Sequence, residues 1–485
     1  MRHAAPSSLS RSRFVTLALL CGLVIAYAST IVGPAGLHFV PLDPAEALRR
    51  FLHTRYVFNG SDQRSDWMGN LTMLVPMGFL LAGALWPQRR TGGRLIAAIG
   101  AFLLAVGFVL AVKFAQLFFP PRTVTLNYII AQSLGSAIGI ALFAAWHGRL
   151  ALIVRGVSLR GGLDGLVALL QAYTVALLVF MLMPLDFALS PHDLMACLDR
   201  LPDAITTVSG ADRPPLVRAV LLLAGTLALV PVGMLLTVRR ERRYVVARSV
   251  AAATGIGFLM MAAVLALTVL LISGTPSLAS LIYRTIGIAF GAALMRWLVQ
   301  QDMGRLRRGL SAAVPWLVLP YLAILLAVNG LAITDWRSPA EALHTLYRLG
   351  LVPLFDYYIV SKADAARNIV AHAVMYAPVG VMVWLRAGAR DRAGLAFCLG
   401  VLLALCVEMG RYLRPGLEGD INAIAVAGLS AWVAAKLMPA AWRMLEGLEA
   451  PRPHGTAAVG WRDRAAAARA LKRAGGEVSG EIERY

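Results

Sequence analysis

Residues 406–432 read CVEMGRYLRPGLEGDINAIAVAGLSAW and join the end of one apolar stretch to the start of another. The junction carries Glu408, Arg411, Arg414 and Asp420, all at one predicted edge of a membrane. Charged residues at the end of a bilayer span are costly unless they pair or face a polar cavity, so they invite a functional hypothesis. The same arrangement recurs near the start of the chain, which makes this stretch the template of a predicted repeat.

Composition places the chain in a membrane. Of its 485 residues, 59% are hydrophobic and 15% are charged, whereas a soluble globular protein has about 25% charged residues. Apolar runs of about 20 residues recur, and each is long enough to cross the hydrocarbon core as a helix. The sequence therefore predicts an all-α fold, a polytopic transmembrane helical bundle of about twelve spans. The predicted spans are 14–36, 67–86, 95–118, 126–146, 164–184, 216–237, 250–272, 278–298, 312–333, 367–386, 394–413 and 420–438.

Basic residues are grouped between the apolar runs. The formal net charge of +20 would by itself suit a nucleic-acid-binding protein, but the arginines form short clusters in alternate loops. That pattern places positively charged loops in the cytoplasm, so we expect no nucleic-acid partner and both termini in the cytoplasm. The basic N-terminus before the first apolar run also resembles a signal peptide. We interpret it as an uncleaved first span, because the repeat described next needs that helix.

Repeated sequence features divide the chain into three predicted four-helix units. The segment PAEAL occurs at 44–48 and again at 339–343, an offset of 295 residues, and Lys113 and Glu408 lie at the same offset. Glycines four apart in the fourth spans predict close helix packing. A Pro-x-Gly in the second spans begins at Pro76, Pro231 and Pro378. We predict repeats at 1–150 and 306–440, a degenerate repeat at 151–305 and a basic cytoplasmic tail at 441–485.

Polar residues at three helix ends of the first and third units are expected to meet at the extracytoplasmic edge. Lys113 is the most costly of them unless it is paired, and Asp66 or Glu408 could supply the partner. Two interpretations stay open: a sealed network that locks the helices together, or a shallow basic pocket for an anionic headgroup, because arginine suits phosphate. The candidate ligand-binding residues are Asp66, Asn70, Lys113, Gln116, Arg122, Asn127, Asn368, His372, Glu408, Arg411, Arg414 and Asp420.

These residues resemble the VanZ-like family of bacterial membrane proteins. Residues 70–78, NLTMLVPMG, fit its N-x-x-x-x-x-P-x-G pattern, and residues 116–122, QLFFPPR, fit the following Q-x-x-x-P-G-R with a second proline in place of glycine. In the first unit Lys113 and Asn127 replace an acid and an Asp, and in the third His372 and Arg411 replace Asn and Gln. The resemblance implies a bacterial membrane protein, and the family's namesake is associated with reduced susceptibility to teicoplanin.

No recognisable catalytic or metal-binding motif accompanies these residues. The four cysteines show no ligand spacing, and P-loop, H-E-x-x-H and G-x-S-x-G motifs are absent from the sequence. We expect no cofactor and no metal, and the departures from the family's acid disfavour an enzyme. The leading hypothesis is a protein of the bacterial cytoplasmic membrane that binds or handles an anionic lipid or lipid-linked glycan, influencing glycopeptide susceptibility or exopolysaccharide export. The alternatives are a solute transporter, a membrane-embedded enzyme that uses Glu408, Asp420 or His372 for acid–base chemistry, and a scaffold without a ligand.

Overall fold

The chain folds into a set of long helices. A computed structural model describes residues 11–30, 39–57, 62–87, 92–120, 124–158, 163–188, 190–202, 215–239, 245–246, 248–331, 336–338, 340–341, 360, 362–388, 390–415, 417 and 419–446. The helices are α1 (Arg11–Thr30), α2 (Pro44–Leu52), α3 (Asp62–Leu85), α4 (Gly92–Gln116), α5 (Leu126–Ser158), α6 (Leu163–Met181), α7 (Pro191–Asp199), α8 (Pro215–Leu227), α9 (Val230–Thr237), α10 (Val250–Val269), α11 (Leu278–Leu298), α12 (Met303–Val328), α13 (Lys362–Ala387), α14 (Ala393–Tyr412) and α15 (Ile421–Glu446). Two strands of two residues each, β1 (Val238–Arg239) and β2 (Val245–Val246), pair antiparallel after α9.

The helices confirm the predicted membrane-spanning bundle. Within the described ranges, eleven helical stretches are long and apolar enough to cross a bilayer, with α8 and α9 counted as one, and α6 adds a shorter apolar stretch. Each predicted span overlaps one of these helices. Large apolar side chains such as Leu19, Leu103 and Leu319 are exposed on the helix surfaces. A hydrocarbon environment suits such a surface, so the exposure agrees with a multi-pass membrane protein.

Three helices extend eight or more residues beyond their predicted spans. Helix α12 begins at Met303 rather than at 312, α5 ends at Ser158 rather than at 146, and α15 ends at Glu446 rather than at 438. Arg149 and Arg155, predicted in a loop, therefore lie on α5. The predicted unit boundaries at 150, 305 and 440 likewise fall inside helices. Arginine, leucine and alanine are good helix formers, so these helices continue past the end of the apolar stretch.

The three Pro-x-Gly prolines affect their helices differently. Pro76 and Pro378 lie inside the continuous helices α3 and α13. Pro231 stands at a break, since α8 ends at Leu227 and α9 begins at Val230. Proline removes one backbone hydrogen bond and its ring clashes with the preceding turn, so each site leaves carbonyls that need another donor.

Proline leaves the carbonyl four positions before it without a donor, and near Pro231 and Pro378 a tyrosine donates to the next carbonyl along the helix. The Tyr173 hydroxyl on α6 donates to the Ala228 carbonyl at 2.8 Å, and the Tyr321 hydroxyl on α12 donates to the Met375 carbonyl at 3.0 Å. Ala228 lies three positions before Pro231, and Met375 lies three positions before Pro378. Neighbouring side chains commonly satisfy backbone groups freed by proline in a membrane helix, and both tyrosines come from the first span of their predicted unit.

The helices of the three predicted units are called the first, middle and third groups below. In the first and middle groups, the second and fourth spans pack through glycine. A β-carbon built on Gly135 of α5 would lie 1.9 Å from the Leu71 carbonyl oxygen of α3, and one on Gly287 of α11 would lie 2.0 Å from the Thr226 carbonyl oxygen of α8. These helices touch backbone to backbone, as glycine faces allow. In the third group Gly428 of α15 faces side chains of α14, and the backbone contact is made by Gly380 of α13, whose β-carbon would lie 2.0 Å from the Ala431 carbonyl oxygen of α15. The division into three repeats stays a prediction.

Polar contacts also join one predicted unit to the next. Arg64 Nη1 of α3 lies 2.6 Å from Asp193 Oδ2 of α7, and this hydrogen bond lowers the pKa of Asp193 to about 2. Arg367 Nη2 of α13 donates to the Met183 carbonyl at 2.7 Å. The short helix α7 thereby contacts the polar end of the first group.

Candidate polar site at one end of the helices

An amide pair joins the second and fourth spans of the first group. Gln132 Nε2 of α5 donates to Asn70 Oδ1 of α3 at 2.9 Å, and Asn70 Nδ2 donates to the Asp66 carbonyl at 2.9 Å. Both side chains are buried. An amide both donates and accepts, so the pair links two membrane helices without a buried charge. Gln132 was missing from the predicted site, although an amide inside an apolar run was a signal that could have identified it.

Lys113 is buried beside an amide and an aromatic ring. It is 4% exposed, its Nζ donates to Gln116 Oε1 at 3.0 Å, and it lies 5.2 Å from the centre of the Tyr128 ring. Gln116 Nε2 in turn donates to the Ser29 carbonyl of α1 at 2.7 Å. An amide oxygen and an aromatic face both stabilise an ammonium group, so these contacts offset part of the cost of its burial.

The start of α5 is fastened to the long loop before α3. Asn127 Oδ1 accepts from Val57 N at 2.9 Å, and Asn127 Nδ2 donates to the Val57 carbonyl at 2.5 Å. Asp66 is exposed and accepts a long hydrogen bond of 3.4 Å from the Tyr128 hydroxyl. Asn127 thus pairs with the loop backbone as a neighbouring strand would, which is a structural role.

A buried carboxylate organises the third group. Glu408 of α14 is 1% exposed. Its Oε2 lies 3.3 Å from Arg411 Nη1 and accepts from the Asp420 backbone N at 2.8 Å. Asp420 Oδ1 accepts from Asn422 N at 2.7 Å and from Asn422 Nδ2 at 2.8 Å. Charge-assisted bonds of this kind are the stronger ones, so Glu408 and Asp420 together hold the end of α14 against the start of α15.

The outer part of the third group reaches the surface. Arg411, Arg414 and His372 are half-buried, and Asn368 is exposed. A β-carbon built on Gly330 would lie 2.5 Å from Arg414 Nη1, so the guanidinium of Arg414 rests on the glycine that follows α12. His372 Nδ1 lies 2.8 Å from the Asn368 carbonyl of its own helix. Arg411 and Arg414 are called the arginine rim below.

The predicted site residues therefore separate by burial. Asp66 and Asn368 are exposed, and Arg122 lies outside the described residues. The inner residues make the hydrogen bonds given above, so the inner part of each set is a sealed network and only the outer part meets the surface. The buried members are Asn70, Lys113, Gln116, Asn127, Glu408 and Asp420.

The middle group has a polar contact that the sequence interpretation missed. Asp186 is buried, and its two carboxylate oxygens accept from Ser273 N at 3.1 Å and from Ser273 Oγ at 3.0 Å. Asp186 follows α6 and Ser273 follows α10, so this bond joins two loops at the end of the group. Sequence alone could not reveal it because the residues are 87 positions apart.

Metal ligands are not gathered anywhere in the described part of the chain. There, no group of three or more His, Cys, Asp and Glu side chains is placed to hold an ion, and Cys21, Cys197, Cys398 and Cys406 are free thiols. The carboxylates of the polar site are occupied by arginine, backbone and amide donors instead. The neighbours of these carboxylates are thus donors in ion pairs and hydrogen bonds.

Comparison with known proteins agrees with the first group of helices. The family model described as VanZ/LLP1 matches residues 14–147. Residues 14–147 form a VanZ-like region. This region begins in α1 and ends in α5, and it contains the Asn70–Gln132 pair and the buried Lys113. No curated protein and no solved structure matches the sequence. The third group of helices, which contains Glu408, Arg411 and Asp420, lies outside the matched VanZ-like region.

Proposed function

We propose that this VanZ-like membrane protein binds the headgroup of an anionic lipid or lipid-linked glycan at the arginine rim. The observation that carries the proposal is the position of Arg411, whose guanidinium is anchored by buried Glu408 yet stays 23% exposed. Arginine donates two parallel hydrogen bonds to a phosphate, and an anchored guanidinium loses little freedom when it does so. Arg414, six residues before Asp420, adds a second positive charge at the same end.

The charge pattern supports a location for this rim. We propose the bacterial cytoplasmic membrane, with both termini in the cytoplasm, because the arginine clusters fall in alternate loops. The rim then lies at the outer leaflet, where lipid-linked precursors of envelope polymers are exposed. Binding such a lipid would connect the protein to glycopeptide susceptibility or exopolysaccharide export, as the VanZ-like resemblance suggests.

A scaffold without a ligand is the second candidate. The sealed hydrogen bonds of Asn70, Gln116 and Glu408 favour it, because they explain these polar residues without a ligand. A solute transporter has less support. The break between α8 and α9 lies beside the fully buried Leu229 and Val232, whereas the broken helices of transporters place polar backbone at a binding site.

Native mass spectrometry of the purified protein in detergent tests the rim. We expect anionic phosphatidylglycerol to bind more tightly than phosphatidylcholine, and the variant Arg411→Gln/Arg414→Gln to bind phosphatidylglycerol about tenfold more weakly. The matched control is Arg49→Gln/Arg50→Gln, which removes two charges from the short helix α2. Equal lipid binding by the wild type and both variants would contradict lipid binding at the arginine rim and would favour a scaffold without a ligand.

A further inference from the structure

A basic cleft lies at the other end of the third group. It has a volume of about 680 Å³ and lies where α13 ends, α14 begins and α15 ends. The arginine rim lies at the opposite ends of these helices. Ligand pockets commonly measure about 300–1,000 Å³, so the cleft is large enough for a headgroup. Its charged and aromatic lining includes Arg307, Trp384, Arg390, Arg392, Lys436 and Arg443.

The cleft has an excess of positive charge. Five of its lining residues are basic, and the two acidic ones are Asp391 and Glu446. Lys436 Nζ forms an ion pair with Asp391 Oδ2, which neutralises one cation. Arg390 and Arg392 lie in the connection between α13 and α14 and are exposed, and the described residues provide no ion-pair partner for either. Five basic and two acidic residues therefore give the lining of the cleft a net charge of +3.

The wall of the cleft is built from packed aromatic rings. Trp384 and Trp442 are both buried, and their ring centroids lie 5.5 Å apart. Arg307 lies 4.7 Å from the centre of the Trp384 ring and donates from Nη2 to the Gly388 carbonyl at 2.8 Å. Stacking and hydrogen bonding hold the Arg307 guanidinium in one orientation, so its remaining donors are prearranged.

We propose that this cleft binds the phosphate of an anionic ligand. Arg307 provides a fixed guanidinium, and Arg390 and Arg392 provide two that have no other partner among the described residues. Tryptophan at the end of a membrane helix marks the membrane–water interface, which is the level of phospholipid headgroups. The ligand is therefore either the headgroup of an anionic phospholipid or a small soluble phosphate, and both would use the same donors. The cleft does not depend on ligand binding at the arginine rim.

The experiment uses the full-length protein in detergent and measures two probes. Phosphatidylglycerol is titrated by native mass spectrometry, and glycerol 3-phosphate is titrated by calorimetry. We expect Arg390→Gln/Arg392→Gln to lower the affinity for whichever probe binds about tenfold. The matched control is Arg149→Gln/Arg296→Gln, which removes two exposed charges from α5 and α11, outside the cleft. This control should keep the affinity of the wild type.

The outcomes distinguish the two sources of phosphate. Binding of phosphatidylglycerol alone identifies a lipid headgroup site, and binding of glycerol 3-phosphate with competition between the probes identifies a soluble phosphate site. Either result supports ligand binding in the cleft, provided that the Arg390→Gln/Arg392→Gln variant binds the probe more weakly and the control variant does not. No binding of either probe, or equal weakening by the control, overturns the proposal. Because Arg411→Gln/Arg414→Gln alters the opposite end, failure at the rim and failure at the cleft are measured separately.

Discussion

Replacing Glu408 with alanine removes a carboxylate that makes two different contacts. It lies 3.3 Å from Arg411 Nη1 and accepts from the Asp420 backbone N at 2.8 Å. Leaving the buried Asp420 N–H without an acceptor costs about 1–3 kcal/mol. Breaking a fully buried ion pair costs about 3–5 kcal/mol, but Arg411 is 23% exposed and water recovers part of that loss. We expect Glu408→Ala to lower the free energy of unfolding by about 2–4 kcal/mol.

Two further variants separate these contributions. Glu408→Gln keeps an acceptor for the Asp420 N–H and removes only the charge, so its loss should be about half as large, about 1–2 kcal/mol. The matched control is Glu46→Ala, because Glu46 pairs with Arg50 on α2 while their side chains are 45% and 56% exposed. An exposed pair of this kind contributes about 0–1 kcal/mol.

The measurement is unfolding in mixed micelles, with far-ultraviolet circular dichroism followed as sodium dodecyl sulfate is added. The wild type and the three variants are compared at one pH and one detergent concentration, because both affect the apparent free energy. Losses of equal size for Glu408→Ala and Glu46→Ala, both below about 1 kcal/mol, would refute the reasoning. Glu408 would then contribute no more than a surface ion pair.

Three other predictions concern the packing and the polar ends. Gly135→Ala should destabilise the protein by about 1–3 kcal/mol or more in the same assay, because the new methyl group meets the α3 backbone; Gly107→Ala in α4, with open space around it, should be neutral or slightly stabilising. Gln116→Leu should lower the free energy of unfolding by about 1–3 kcal/mol, since it removes the acceptor of buried Lys113 and the donor to the Ser29 carbonyl of α1; no change would show that this amide is dispensable. The contact of Arg64 with Asp193 lowers the pKa of Asp193 from 3.8 to about 2, so its stabilisation is present above pH 3.8 and is lost as the pH falls towards 2. Asp193→Asn should therefore flatten the loss of thermal stability over that pH range, and an unchanged pH profile would contradict this assignment.

The positions of the spans could be predicted from local properties of the chain. A run such as 95–118 is apolar enough to cross a bilayer whichever helices surround it, and it corresponds to α4. The ends were less predictable. Helix α12 begins at Met303, ahead of Arg305 and Arg307, because helix formation depends on backbone propensity and capping rather than on hydrophobicity.

The partners of the polar residues could be predicted only in part. Glu408 was expected as a possible partner of Lys113, but it pairs with Arg411, which helix geometry favours because the two are three residues apart on one helix. Gln132 and Asn70 are 62 residues apart, and their contact depends on how closely α3 and α5 approach. The same holds for Asp186 and Ser273 in the middle group, which are 87 residues apart.

Hydrophobicity and charge along the chain alone established that this is a multi-pass helical membrane protein with polar residues collected at helix ends, because a bilayer selects for the length and apolarity of each span. The tertiary structure decided which of those polar residues are sealed and which reach the surface. It buried Lys113 against Gln116 and Tyr128, and it left Arg411 partly exposed beside Glu408. Burial depends on the neighbours that other helices supply, and those neighbours are set by packing between segments distant in sequence.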